Sequence, residues 1–175
     1  YGVGELSALN GIAGSFAENV SVLHIVGSSA LKARAIADDG NEMDALFGTI
    51  HHLVPGKHTF RQDHEVYSKA AEAYSCYSEY ITEEDILQGN VQNKIDEAIE
   101  AVVANHKPGY LFVPSDVADA LVTCDLDKPL DLHKYKNKDL NDSEEKVLNK
   151  LLEKVYKSEN PGFVADYFLK RHTSQ

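Results

Sequence analysis

Two short apolar runs with strong β preference constrain the fold of this chain more than any other feature. Val22 to Val26 reads VLHIV and ends at Gly27, and Tyr110 to Val113 reads YLFV between Pro-Gly and Pro. Neither run alternates between apolar and polar residues, so both are predicted to be strands buried on two faces of a parallel sheet. Between them, Val91 to Asn105 carries apolar residues at helical spacing behind Asn90, which is suited to the N-cap. This alternation predicts an α/β fold.

Three further segments predict elements around that sheet. Glu5 to Ala17 has apolar residues at helical spacing, and Gly2 and Gly4 precede it, so its free N–H groups open from a glycine turn where an anion or a polar ligand edge could bind. Packing of the helix against a strand explains these glycines equally well. Val66 to Ile81 predicts a helix that runs into a short strand, and Asp116 to Leu121 predicts a short helix.

Polar segments divide the chain. Residues 126–142 are rich in Lys, Asp and Asn and predict a linker between a first domain, 1–125, and the start of a second α/β domain, 143–175. Asn141 to Glu144 has the spacing of a capping box, and the residues after it form one apolar helical stripe. The polar stretch from Ser28 to Ile50 has no strong periodicity and predicts a long loop.

Charge and composition argue against several functions. The chain has 17 basic and 28 acidic residues, a formal charge of -11, and no cluster of Lys or Arg, so a nucleic-acid partner is not expected. Its apolar runs are far shorter than the ~20 residues that span a bilayer, and no signal peptide leads it, so a cytoplasmic protein without membrane contact is expected. Cys76 and Cys124 lack the spacing of a zinc site or redox pair and are expected to be reduced thiols.

The stretch IHHLVPGKH places His51 beside His52 in a predicted loop. Adjacent histidines do not share one face of a helix or strand, and His58 and His64 add no cysteine or HExxH pattern, so no metal site is predicted. Neighbouring imidazoles can instead donate hydrogen bonds or protons to a ligand that becomes anionic. Ordinary surface-loop histidines are the alternative. His24, inside VLHIV, is expected to be a core or strand-end histidine.

The order of these motifs resembles one family. YGVGELSALNGIAGSFAENV, then VLHIVG, then the histidine pair, then KPGYLFVPSDVAD are similar to the second half of the pyrimidine-binding domain of thiamine-diphosphate-dependent 2-oxo acid decarboxylases, which include pyruvate, indolepyruvate and phenylpyruvate decarboxylases. The resemblance continues weakly into NPGFVADYFLKRH, which is similar to the entry into the family's central domain. It implies an incomplete flavodoxin-like parallel sheet followed by the start of a second α/β domain.

The resemblance also implies site residues, cofactors and partners. In this family the histidine pair lines the active site, so His51 and His52 are expected to contact the 2-oxo acid substrate or an intermediate and to manage protons after carbon dioxide leaves. Thiamine diphosphate is the implied cofactor, with the Gly2 and Gly4 region as a candidate contact and with Mg²⁺ ligands outside this chain. The implied assembly is a homodimer or homotetramer that joins pyrimidine-binding and pyrophosphate-binding domains. The glutamate that activates the cofactor lies upstream of GVGELSALNG in the family, so this chain alone is expected to be inactive.

Two functional hypotheses follow from the resemblance. The first is a fragment of a non-oxidative 2-oxo acid decarboxylase that forms an aldehyde and carbon dioxide. Its HHLVPGKHTF differs from the TLGNGDF-like sequence that follows the pair in pyruvate-specific members, and looks closer to the yeast branch that acts on phenylpyruvate and other bulky 2-oxo acids of amino-acid catabolism. The alternative is a non-catalytic regulatory protein that keeps the decarboxylase fold and senses thiamine diphosphate. A generic flavodoxin-like binding module is a third possibility.

Overall fold

The computed structural model describes residues 1–38, 64–135 and 139–164. Within these ranges the elements follow the order α1 (Val3–Ala17), β1 (Leu23–Ser28), α2 (Leu31–Asp38), α3 (Val66–Glu72), β2 (Ser78–Tyr80), α4 (Glu83–Leu87), α5 (Val91–Asn105), β3 (Gly109–Pro114), a 3-10 turn (His133–Tyr135) and α6 (Asp142–Lys157). The chain forms two compact units, Tyr1–Tyr135 and Lys136–Gln175, of which the first holds the sheet and the second holds α6.

The described sheet has three parallel strands in the order β1-β3-β2. β3 lies in the centre, and its residues Tyr110, Leu111 and Phe112 are all buried because helices cover both of its faces. Each crossover between consecutive strands contains helices, as parallel pairing requires. The predicted α/β fold is therefore confirmed, and it is consistent with part of a flavodoxin-like domain.

The prediction for β1 is only partly right. The strand forms where VLHIV predicts it, but it continues through Gly27, which pairs with Val113, to Ser28. Burial on both faces is wrong for this strand, because Ile25 is 61% exposed. β1 lies at an edge of the described sheet, so only one of its long sides is paired, whereas the central β3 is covered from both sides.

Two apolar clusters hold the layers together. On one face of the sheet, α1 and α3 contribute Ile12 and Ala71 to a cluster with Val26, Tyr110 and Phe112. On the other face, the start of α5 contributes Val91 to a cluster with Ile81 and Leu111, against which partly buried residues of α4 and α5 pack. The helices predicted at Glu5 to Ala17, at Val66 onward and at Val91 to Asn105 are confirmed, and the last of them buries the apolar stripe that predicted it. The first two bury other residues, Glu5 and Ile12 in α1 and Ala71 in α3, whereas Leu6 and Val66 of the predicted stripes are exposed.

A buried ion pair joins α4 to α5. The Lys94 Nζ donates to Asp85 Oδ2 at 2.8 Å and to the Tyr80 carbonyl at 2.9 Å, and only 10% of the Asp85 side chain is exposed. Asp85 also closes a capping box with Thr82 at the start of α4. Burial alone would raise the pKa of Asp85, but the hydrogen bonds from Lys94 and Thr82 outweigh it and lower this pKa to about 2.

Two predicted helix features take a different form. Asn90 occupies the N-cap position of α5 as predicted, but its side chain makes no capping hydrogen bond. Residues 115–119 form turns, so the predicted helix at Asp116 to Leu121 is wrong. Asp116 instead accepts hydrogen bonds from the Leu31 and Lys32 backbone N–H groups, at 2.9 and 3.2 Å, at the start of α2. That helix lies inside the stretch predicted to be a loop, because its eight residues are too few for helical periodicity to stand out.

The second unit is described through α6. The capping box predicted at Asn141 to Glu144 is confirmed: the Asn141 side chain accepts from the Ser143 and Glu144 N–H groups, and Glu144 accepts from the Asn141 N–H. The predicted strand start at GFVADYF has no regular structure over 162–164, and its remainder lies outside the described residues. Cys76 and Cys124 are both free thiols, as predicted.

Gly109, at the start of β3, is expected to be intolerant of alanine. A Cβ at this position would lie 2.7 Å from Val102 Cγ2 and 3.4 Å from Tyr77 Cβ, and Val102 is a buried β-branched residue that cannot rotate away easily. Gly109→Ala should therefore lower the free energy of unfolding by about 1–3 kcal/mol, measured by urea denaturation.

The control for this prediction is Gly14→Ala in α1, where an added Cβ meets no atom within 4 Å. This change should leave stability unchanged or raise it by roughly 0.5–1 kcal/mol, because alanine is the better helix former. The double variant Gly109→Ala, Val102→Ala should be no less stable than Val102→Ala alone. A double variant that is less stable would show that the Val102 methyl group is not the source of the strain.

Candidate functional site

The C-terminal end of β1 meets the N-terminus of α1 around a small enclosed cavity. Ligands of open parallel sheets bind beyond the carboxyl ends of the strands, so this is the edge where a site is expected. The space available to the centre of a water molecule there is about 10 Å³. The cavity is lined by Tyr1, Glu5, Ser28, Ser29, His64, Tyr67, Tyr80 and Phe112.

Glu5 is the buried acid of this site. It is the third residue of α1, and its carboxyl group accepts a hydrogen bond from the N–H of Gly2, the N-cap residue, so it satisfies a group that the helix leaves free. The residue is 6% exposed, and its Oε1 has no hydrogen-bond partner among the described residues. Burial raises the pKa of Glu5, although the hydrogen bond from the Gly2 N–H acts in the opposite direction.

Two serines and a histidine form the opposite side of the cavity. The Ser29 Oγ lies 2.9 Å from His64 Nδ1, with the donor set by the tautomer of the ring. Ser28, the last residue of β1, is 7% exposed, and its Oγ has no hydrogen-bond partner in the described part of the chain. A buried hydroxyl and a buried carboxyl oxygen thus line one small space without a direct hydrogen bond between them.

An aromatic column forms the wall beside the cavity. The Tyr80 and Phe112 rings stack with centroids 4.5 Å apart, and Tyr110 stacks on Phe112 at 5.8 Å, because β2 and β3 place these residues on one face of the sheet. His24 of β1 meets the Tyr110 ring at 4.9 Å, and the Arg34 guanidinium lies 4.0 Å from the centroid of the Tyr80 ring. The column spans all three strands, so the wall is held by the sheet itself.

The sequence-predicted site residues fall into two groups. His51, His52 and His58 lie outside the described residues, so their predicted roles stay predictions. Gly2 does lie at the start of α1 as predicted, with φ of 70°, where glycine is favoured. Gly4 has open space where a Cβ would project, so it forms no close-fitting cradle for a ligand.

Sequence reasoning missed two of the residues with unpartnered buried atoms, Glu5 and Ser28. Glu5 was named only as the first residue of a predicted helix, although its position three residues after Gly2 was a usable signal for a capping role. Ser28 gave no signal, because its burial depends on how β1 pairs with β3. His24, predicted to be a core or strand-end histidine, lies half-buried in β1, and burial lowers its pKa.

The described residues do not fit thiamine diphosphate by themselves. The enclosed cavity admits nothing larger than a water molecule, and an organic ring needs far more space. A wider groove of about 400 Å³ opens at the same end of the sheet, but its Asp116 carboxylate is already bound to the start of α2. Among the residues that the structure describes, no group of three or more His, Cys, Asp or Glu side chains could hold a metal ion.

The burial of Glu5 predicts a specific dependence of stability on pH. Its folded pKa is raised, so the folded chain retains a proton that the unfolded chain loses, and stability is full below the ordinary pKa of about 4.3. Stability should then fall as the pH rises, until the pH passes the folded pKa. Glu5→Gln should remove this loss, so the Tm of the variant relative to that of the wild type should increase with pH in thermal melts.

Ser7→Ala is the matched control on the same helix. Ser7 is exposed and its Oγ donates to the Val3 carbonyl, so the change removes a hydrogen bond but no ionisable group. Its effect on the free energy of unfolding should be the same at each pH. A pH-independent difference between Glu5→Gln and the wild type would contradict the burial of an acid at this position.

The parallel sheet, with a polar site beyond the carboxyl end of β1, defines the first unit as part of an α/β domain of the flavodoxin-like class. No family model matches the chain. Curated proteins do: it is 39% identical over 98% of its length to the transaminated amino acid decarboxylase of Saccharomyces cerevisiae. It is 34% identical over 98% to pyruvate decarboxylase isozyme 3, and 32% identical over 95% to thiamine metabolism regulatory protein THI3, both from the same yeast.

These similarities confirm the resemblance found in the sequence: the chain belongs to the family of the pyruvate and transaminated amino acid decarboxylases. It spans about a quarter of the length of these relatives, 27% of the first two and 24% of the third. Among the helices of the described ranges, none has both the length and the apolar character that crossing a membrane requires.

Proposed function

We propose that this chain is part of a thiamine-diphosphate-dependent decarboxylase that converts a 2-oxo acid to an aldehyde and carbon dioxide. The observation that carries the proposal is the 39% identity, over 98% of the chain, to the transaminated amino acid decarboxylase of yeast. That relative is more similar than the pyruvate decarboxylase isozymes, at 31–34%. The substrate is therefore proposed to be a bulky 2-oxo acid derived from an amino acid.

The remaining parts of the proposal concern the whole protein. His51 and His52 donate hydrogen bonds to the substrate and handle protons after decarboxylation, as imidazoles with a pKa near ~6.5 can do at neutral pH. Thiamine diphosphate supplies the electron sink for the carbanion when bound. Its Mg²⁺ ligands would lie outside this chain. Residues 1–125 belong to the pyrimidine-binding domain, 126–142 to a linker and 143–175 to the start of the central domain. The protein is cytoplasmic and works as a homodimer or homotetramer.

The proposal is tested with the full-length protein, thiamine diphosphate and Mg²⁺. Phenylpyruvate, indolepyruvate and pyruvate are supplied in parallel, and aldehyde is followed with a coupled dehydrogenase. Aldehyde should form from all or most of these acids, with a higher kcat/KM for the aromatic ones than for pyruvate. A higher kcat/KM for pyruvate than for the aromatic acids would overturn the substrate proposal and leave the decarboxylase proposal in place.

The second candidate function is a non-catalytic regulator that senses thiamine diphosphate. It is favoured by the 32% identity, over 95% of the chain, to the yeast thiamine metabolism regulatory protein. A folded full-length protein that binds thiamine diphosphate in calorimetry, yet forms no aldehyde from any of the three acids, would favour this candidate over the enzyme.

A further inference from the structure

The enclosed cavity between α1 and the end of β1 is lined by two residues whose buried polar atoms lack hydrogen-bond partners in the described part of the chain. Glu5 and Ser28 both line it, both residues are more than nine-tenths buried, and neither Glu5 Oε1 nor Ser28 Oγ has a hydrogen-bond partner among the described residues. A buried polar group without a partner is strongly unfavourable, so native proteins pair such groups with protein or with ordered water.

The size of the cavity limits what can pair with these atoms. Its space of about 10 Å³ for the centre of a water molecule lies at the lower limit for one water and excludes any organic group. Tyr67, Tyr80 and Phe112 form one part of the wall, and Ser29 and His64, which are in contact with each other, form another. A molecule with a single oxygen atom that can both donate and accept hydrogen bonds matches this space.

The chemistry of the two atoms matches the same guest. Ser28 Oγ can donate or accept, and Glu5 Oε1 accepts when the carboxyl is ionised and can donate when it is protonated. A water molecule satisfies either form, because it can donate to a carboxylate and accept from a carboxylic acid. A metal ion does not fit, since no described group of three or more His, Cys, Asp or Glu side chains could hold one.

We propose that a single buried water molecule binds in this cavity and bridges Glu5 Oε1 to Ser28 Oγ. It ties the N-terminus of α1, through the carboxyl group that also accepts from Gly2, to the last residue of β1. The bridge closes the contact between the N-terminus of α1 and the end of β1. A ligand that binds at the carboxyl end of β1 would therefore lie outside this contact. This inference is independent of the proposed decarboxylase activity.

The first test is a crystal structure of the wild-type full chain at a resolution that shows ordered water. The expected result is one density peak within about 2.6–3.2 Å of both Glu5 Oε1 and Ser28 Oγ. The proposal is overturned if the cavity holds no density, or if either atom instead bonds directly to another protein group, including any residue of 39–63.

A double-mutant cycle gives a second test that does not depend on crystals. Glu5→Leu and Ser28→Ala each remove one end of the bridge, so in the double variant the drop in Tm should be smaller than the sum of the single drops by about 2 °C or more. Ser21→Ala is the control partner, because Ser21 Oγ donates to the Val102 carbonyl and does not line the cavity. Glu5→Leu and Ser21→Ala should be additive. Additive effects for Glu5 and Ser28 as well would overturn the bridge.

Discussion

Replacing His52 by alanine in the full-length protein is expected to lower kcat for phenylpyruvate by about 100-fold or more. Positioned general acids and bases contribute rate factors of this order, and the resemblance assigns the histidine pair to the substrate side of the site. The dissociation constant of thiamine diphosphate should change little, because the proposed role of the ring concerns the substrate. Steady-state kinetics and calorimetry on the same preparation measure both quantities.

His51→Ala is made in parallel, because the sequence does not decide which of the two rings meets the substrate. The two variants are expected to lower kcat to different extents, with at least one of them reaching the 100-fold loss. His133→Ala, in the 3-10 turn His133–Tyr135, is the control and should keep wild-type turnover. If both members of the pair keep wild-type turnover while the cofactor binds normally, the catalytic assignment is wrong.

Asp85→Ala is expected to be strongly destabilising, at about 3 kcal/mol. The variant leaves the Lys94 ammonium group, with 16% of its side chain exposed, without its anionic partner, and it also removes the capping box at the start of α4. Urea denaturation measures the loss. Because the folded pKa of Asp85 is depressed to about 2, the stability it contributes is present above about pH 4 and is lost as the pH falls toward 2.

An exposed ion pair provides the comparison for Asp85. Lys69 of α3 and Glu65, the N-cap residue of that helix, lie 3.0 Å apart with more than half of each side chain exposed, so Lys69→Ala should change stability by less than about 1 kcal/mol. The double variant Asp85→Asn, Lys94→Met should recover much of the loss, since removing both charges leaves no buried ion unpaired. Equal effects of Asp85→Ala and Lys69→Ala would contradict the buried character of the pair.

The sequence predicted best those elements whose burial can be seen in the pattern of their own residues. β3 and α5 appear where YLFV and the helical stripe place them, because a central strand and the helix that covers it keep one pattern along their length. β1 was placed correctly, but the exposure of its Ile25 was not predicted. Which strand lies at the edge of a sheet depends on the strand order, and composition does not show that order. α2 was missed because its eight residues are too few for helical periodicity to stand out, and its start is fixed by Asp116 from a distant part of the chain.

The candidate site was less predictable for a related reason. Gly2 and the start of α1 could be read from the sequence, but the approach of Glu5 to Ser28 depends on the packing of α1 beside β1. His64 was considered only as a metal ligand, whereas the structure pairs it with Ser29. Contacts between residues 23 or more positions apart carry no local pattern, and the chemistry of this edge is made of such contacts.

The central claim is most directly tested by the carbon balance of the reaction. The full-length protein, with thiamine diphosphate and Mg²⁺, is given phenylpyruvate labelled in its carboxyl carbon, and labelled carbon dioxide and phenylacetaldehyde are both quantified. The account predicts one labelled carbon dioxide for each aldehyde formed, at a rate far above that of the cofactor and Mg²⁺ without protein. A folded, cofactor-bound protein that releases no labelled carbon dioxide above that background would contradict it.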